Sequence, residues 1–257
     1  MAPFDLTRFH EQLQTRTFGR SLVYEPSVGS TMDVAREAAK HGAAEGTVVL
    51  ADEQTAGRGR LGRSWVTPPA LNLASTIVVR PEPRVLRDLA MITPLAICGA
   101  AEEQATVRCH IKWPNDVQVG GKKLAGVLIE TDLSGEAPLA LVGAGINVNF
   151  DPREYDEIRE IATSLLAETG AEHDREALLA AYLLHFERLY DASLSGASPR
   201  EAWRAKLVTL GARVVVTTPS GQIEGVAEDV DDDGSLLVRG SDGSLTTVEA
   251  GDVTLRQ

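Results

Sequence analysis

Residues 57–69 read Gly57-Arg58-Gly59-Arg60-Leu61-Gly62-Arg63-Ser64-Trp65-Val66-Thr67-Pro68-Pro69, and this stretch constrains the fold more than any other. It contains the G-x-G-x-x-G spacing of a dinucleotide-binding turn, which must follow a strand and open a helix. Pro68 and Pro69 forbid a continuing helix. The intervening positions carry arginines, whereas such a turn cradles pyrophosphate with backbone N–H groups. The glycines therefore serve a loop. Glycine permits φ > 0 and close backbone approach, and arginine offers paired donors to phosphate and carboxylate. Three arginines and three glycines stand between Gly57 and Arg63 with no acid among them. The segment reads as an anion-binding loop.

That loop sits in an anionic molecule. The 257-residue chain holds 25 Lys and Arg against 37 Asp and Glu, a formal charge of −12. Such a balance argues against non-specific binding to DNA, RNA or anionic membranes. Yet six of the basic residues fall in two short windows: Arg58, Arg60 and Arg63, then Lys112, Lys122 and Lys123. Two like charges at ~4 Å repel by about 4 kcal/mol at an effective dielectric near 20. Clustered cations suit a site that brings two anions together.

The second window is Lys112-Trp113-Pro114-Asn115-Asp116-Val117, followed by Gly120-Gly121-Lys122-Lys123-Leu124-Ala125-Gly126-Val127-Leu128-Ile129-Glu130. It reads as strands joined around a glycine turn. An amide, a carboxylate and lysines are thereby brought close. Asp116 is a candidate Mg²⁺ contact, and Lys123 a candidate for neutralising developing negative charge. A third segment, Gly143-Ala144-Gly145-Ile146-Asn147-Val148-Asn149, runs a strand out through glycines into asparagines.

Periodicity predicts strands over 47–51, 71–79, 123–130 and 139–148, with shorter ones over 108–113 and 116–119. Ser30 and Asp33 form a capping box ahead of a helix over 34–41 that Gly42 stops. Asp174 caps another helix, whose apolar stripe is Leu178, Leu179, Tyr182, Leu183, Phe186, Leu189 and Tyr190. A short helix is expected within 1–13. After 207–211 the pattern changes to strands over 213–217, 222–227, 235–238 and 245–248. Turn signals Pro219-Ser220-Gly221, Asp231–Gly234 and Asp242-Gly243 separate them, the signature of a small β-barrel. The expected organisation is therefore α+β: a mixed β-sheet flanked by helices over 1–208, and a small C-terminal β-barrel over 209–257.

No apolar h-region marks an export signal near the start. The most apolar stretch, 89–101, contains Pro94 and falls well short of the ~20 residues that span a bilayer. Cys98 and Cys109 read as reduced thiols, and the five histidines show no metal-ligand spacing. The expected location is the cytoplasm.

Taken in order, Gly57–Trp65, Lys112–Asp116, Lys123–Glu130 and Gly145–Val148 resemble the biotin protein ligases. The resemblance implies the biotin/lipoate ligase fold, similar to class II synthetases, with an SH3-like C-terminal domain. It implies two half-reactions, in which biotin and MgATP give biotinoyl-5′-AMP, and a lysine of a biotin carboxyl carrier domain then takes the biotin. By position, Ser30, Thr31, Met32, Gln54, Gly57, Arg58, Gly59, Arg60, Lys123 and Gly126 would form the biotin pocket. Arg58, Arg60, Arg63, Trp65, Lys112, Asn115, Asp116 and Asn147 would hold the nucleotide, with Trp65 closing over adenine and Asp116 near magnesium. Lys123 and Arg60 would be the catalytic cations. Leu61 departs from the pattern, standing where the loop often has arginine, and Met32 stands where asparagine frequently follows Ser-Thr. Repressor members carry a DNA-binding domain before the Ser-Thr segment. The stretch ahead of Ser30 is too short for that module, so no DNA binding is expected. The rival enzyme is a lipoate–protein ligase or octanoyltransferase, and the rival of another class is a non-catalytic sensor of biotin or nucleotide.

Overall fold

The computed structural model describes residues 2–135, 137–218 and 221–256. The elements in chain order are α1 (Leu6–Gln12), β1 (Leu22–Val28), α2 (Thr31–Lys40), β2 (Val48–Gln54), β3 (Leu73–Val79), α3 (Leu89–Ala105), β4 (His110–Lys112), β5 (Asp116–Val119), β6 (Lys122–Asp132) and β7 (Leu139–Ile146). There follow α4 (Leu165–Thr169), α5 (Arg175–Leu194), α6 (Arg200–Lys206), β8 (Arg213–Thr218), β9 (Gly221–Val230), β10 (Leu236–Arg239), β11 (Leu245–Val248) and β12 (Asp252–Arg256). Of the Pro219-Ser220-Gly221 turn signal, Pro219 and Ser220 lie outside the described residues.

The first seven strands form one mixed sheet in the order β1-β2-β3-β7-β6-β5-β4. Only β1 and β2 pair in parallel; the remaining neighbours are antiparallel. The five C-terminal strands make an antiparallel sheet in the order β11-β10-β9-β8-β12. The alternation of β3 explains how the first sheet is covered. Leu73, Ile77 and Val79 join the large core, to which α3 and α5 contribute. Val78 faces α2 with Met32, Ala35 and Val49.

Local chemistry sets the helix ends. Asp174 accepts from the N–H groups of Glu176 and Ala177, and its helix buries Leu178, Leu179, Tyr182, Leu183, Phe186 and Tyr190. Gly42, at φ +83°, ends α2 in a Schellman arrangement, with Ala43 N–H reaching the Ala38 carbonyl and Gly42 N–H the Ala39 carbonyl. The capping box at the other end of α2 is replaced. Ser30 is the N-cap residue but its side chain makes no cap hydrogen bond; Gln54 Oε1 accepts from the Thr31 N–H instead, at 2.9 Å.

Five elements lie outside the sequence expectation: β1, α3, the short helices α4 and α6, and β12. β1 interrupts its alternation with Pro26 at the sheet edge, where proline is tolerated. α3 contains Pro94 and is apolar almost all round, so neither helical periodicity nor an uninterrupted N–H series marks it. β12 closes the C-terminal sheet against β8. No helix among the described residues is long and apolar enough to cross a membrane.

Two anchors hold the parts together. Trp113 donates through Nε1 to the Gly234 carbonyl and through its backbone to Thr209 Oγ1, both at 2.9 Å, tying the first sheet to the C-terminal strands. Arg175 and Asp52, both buried, pair at 2.7 Å. Asp52 also accepts from the Tyr24 hydroxyl, while Arg175 donates to the Asn72 carbonyl. This cluster clamps α5 to β2 and the N-terminal segment.

Candidate active site

The Gly57–Trp65 segment is a finger of antiparallel backbone. Trp65 N–H donates to the Gly57 carbonyl at 2.9 Å and Gly59 N–H to the Arg63 carbonyl at 2.7 Å, around a short 3₁₀ turn at Arg60–Gly62. The turn needs φ > 0 at Leu61 (+56°) and Gly62 (+73°). Gly57 is required where the two sides meet, because a Cβ there would lie 2.5 Å from the Trp65 carbonyl oxygen. The finger covers a cavity of about 600 Å³, within the range of small-molecule sites.

Every residue expected in the site except Gly57 lines this cavity. Gly57 borders a second depression, with Thr55, Thr67 and Tyr155. At one end of the cavity, Thr76 Oγ1 donates to Thr31 Oγ1 (2.8 Å), which donates to Gln54 Oε1 (3.1 Å). Gln54 is thus oriented, with its oxygen engaged and its Nε2 holding only a 3.4 Å bond to Thr67. The buried Ser30 hydroxyl is free of capping duty. Hydroxyl and amide donors therefore converge there, suited to a ureido group. Met32 touches the wall but packs its sulfur on Gly143 in the core under α2.

The arginines, without acids in their own segment, find partners elsewhere. Arg58 makes two hydrogen bonds to Asp33, at 2.8 and 2.6 Å. Arg63 pairs with Asp252. Arg60 donates to Asn115 Oδ1 at 3.3 Å and to the Gly251 carbonyl at 3.1 Å. Burial lowers the Arg60 pKa from its usual value, against the pull of Asp116 and Asp252. A desolvated cation of this kind favours an anionic ligand.

The Arg58 hydrogen bonds, supported by Arg36 and opposed by burial, bring the Asp33 carboxyl from its ordinary 3.8 to about 2. A carboxylate with a depressed folded pKa contributes stability above its unfolded value and loses it as pH falls through the folded one. Asp33→Asn should therefore lower the urea midpoint at pH 5 more than at pH 2.5. Equal losses at both pH values would contradict the pairing.

Lys123, across the cavity, is held by Asp116 at 2.7 Å, and its ammonium lies 5.4 Å from the centre of a Trp65 ring. Lys112 also lines the cavity. Asn115 donates to the Val127 carbonyl at 2.7 Å, which fixes the amide that receives Arg60. Gly126 and Gly145 are cross-strand partners and together form a flat floor under the Trp65 indole. A Cβ on Gly145 would overlap that ring. Gly145→Ala should expel the indole, since the alternative is overpacking at about 1–3 kcal/mol. Trp113 and Trp203 are buried, so a red-shifted emission reports Trp65; an unchanged spectrum would refute the floor.

Asn147 is nearly inaccessible, and its amide donates to the Thr163 carbonyl at 2.9 Å and the Lys123 carbonyl at 3.4 Å. With its donors engaged, the group it leaves for a ligand is the Oδ1 acceptor. Among the described residues no group of three or more His, Cys, Asp or Glu could hold a metal ion. Asp116 supplies one carboxylate, which suits magnesium arriving on a triphosphate and held chiefly by phosphate oxygens and water.

Sequence reasoning missed two walls. Glu157, Ile158, Glu160, Ile161 and Ala162 line the cavity because Lys123 N–H donates to the Ile161 carbonyl and Thr163 N–H to the Lys123 carbonyl. Gly251–Thr254 line it from the C-terminal sheet. The one signal for the latter was Asp252, an acid complementary to the arginine finger but distant in sequence from its partner Arg63.

Two family models match the chain: the biotin/lipoate A/B protein ligase family over residues 24–147 and the biotin protein ligase C-terminal domain over 209–256. The biotin–[acetyl-CoA-carboxylase] ligase of Mycobacterium tuberculosis is 34% identical over 262 residues, covering 98% of this chain and 95% of that protein. The bifunctional ligase/repressor BirA of Bacillus subtilis is 34% identical over 249 residues, 95% of this chain and 76% of that protein. The Aquifex aeolicus biotin protein ligase in complex with biotin and ATP superposes with a TM-score of 0.79 at 31% identity, covering 93% of this chain and 99% of that one. The chain belongs to the biotin protein ligase family.

Proposed function

We propose that the chain activates biotin with ATP and transfers it to a lysine of a carrier domain. The observation that carries this reading is the convergence of Arg60 and Lys123, from well-separated stretches of sequence, on one cavity. In the first step a biotin carboxylate oxygen attacks the α-phosphorus. The new O–P bond forms as the Pα–O–Pβ bond breaks, and pyrophosphate leaves. Arg60 and Lys123 offset the repulsion between carboxylate and phosphate and stabilise the charge that builds up. For that, Lys123 must exchange Asp116 for the ligand, leaving Asp116 to face the triphosphate's magnesium. Lys112 and the finger arginines lie where further phosphate oxygens need cations.

In the second step a lysine ε-amine attacks the acyl carbon. The C–N bond forms, the acyl C–O bond breaks, AMP leaves with the electron pair, and the nitrogen loses its proton. The acceptor fitting this chemistry is the biotin carboxyl carrier domain of a carboxylase, and the ATP supply fits a cytoplasmic location. Residues 1–208 would bind both small substrates and 209–257 would close the cavity from the C-terminal side. The test is acid-dependent exchange of labelled pyrophosphate into ATP. Biotin should drive it and lipoate should not; exchange driven by lipoate would move the chain to the rival ligase, and binding without exchange would make it a sensor.

A further inference from the structure

We propose that Leu61 and Ile161 form an apolar lip that receives the segment around the acceptor lysine on the carrier protein, an inference that rests on the ligase reading. Both residues are largely exposed, at 65% and 64%, and both border the cavity. Leu61 combines this exposure with φ +56°, a backbone conformation strained for a leucine and one that the neighbouring Gly62 adopts freely. Neither internal packing nor backbone preference accounts for a leucine there.

The position of the lip relative to the chemistry is defined. Leu61 follows Arg60 directly, and the Ile161 carbonyl accepts from the Lys123 backbone N–H at 2.8 Å. The two exposed apolar groups thus flank the two catalytic cations, where an incoming nucleophile must pass. Glu157 and Glu160 also border the cavity, so the same rim attracts an ammonium while it offers apolar contact. A lysine carried between apolar neighbours fits both features. A nucleic acid, with its phosphates, fits neither.

Both half-reactions can be read separately. Leu61→Asn keeps a residue that tolerates φ > 0, and Ile161→Ser acts on an exposed side chain, so both variants should fold. The doubly substituted chain should retain wild-type biotin-dependent pyrophosphate exchange and wild-type transfer to hydroxylamine. Its kcat/KM for the carrier domain of acetyl-CoA carboxylase should fall about tenfold, chiefly through KM. Unchanged carrier kinetics would overturn the lip, as would a parallel loss with hydroxylamine, which would place these residues in the chemistry itself. Absence of exchange in the unsubstituted chain would overturn the ligase reading, and the lip with it.

Discussion

Lys123→Ala should lower the rate of adenylate formation by about 10²–10³-fold, the usual consequence of removing one preorganised charge-stabilising donor. The structure explains why the loss would not be recovered by a neighbour. Arg60 is anchored by Asn115 and the Gly251 carbonyl, Arg58 by Asp33, and Arg63 by Asp252. None can move to Lys123's place without leaving a carboxylate or carbonyl unpaired. The variant should fold, because the Lys123 side chain is 31% exposed and the contacts that order this strand are made by its backbone. Initial rates of pyrophosphate exchange, with a thermal melt on the same sample, test this. Turnover close to that of wild type would remove Lys123 from the mechanism.

The largest effect on stability should come from Arg175→Met, at about 3–5 kcal/mol, because it strands the buried Asp52 carboxylate in a low-dielectric interior. The side chains of Arg175 and Asp52 are only 5% and 8% exposed, so water cannot replace the lost guanidinium. Tyr24 and the Phe4 N–H would keep their hydrogen bonds to Asp52, but two neutral donors cannot offset a buried charge. The Arg175→Met/Asp52→Leu pair should recover much of the loss, since the ionic demand is then gone from both sides. Urea unfolding at pH 7 measures it. A single variant as stable as wild type would show that the pair is not structurally important.

How much of the site is legible in sequence follows from how local each constraint is. The finger, the Lys112–Asp116 block and the Lys123–Glu130 strand are each carried by contiguous residues, so glycine, proline and charge content expose them directly. Asp174 capping and the buried stripe of α5 are local for the same reason. α3 shows the opposite case. It is buried on nearly every side, so its sequence has no polar face to set a period, and Pro94 imitates a break. The role of Ser30 is not legible either, because its rival for the helix end, Gln54, lies at the far end of β2 and reaches Thr31 only through the pairing of β1 with β2.

Sequence alone determined the chemical inventory: clustered cations in an anionic chain, glycines where backbone must turn or approach, and an apolar pattern for two unlike parts. Folding decided which acid neutralises which arginine, that the C-terminal sheet and residues 157–158 and 160–162 wall the cavity, and that Ser30 is released from capping. Charge and propensity act within a turn or two of chain. Pairings such as Arg63 with Asp252 are set by packing, which joins residues that no sequence spacing relates.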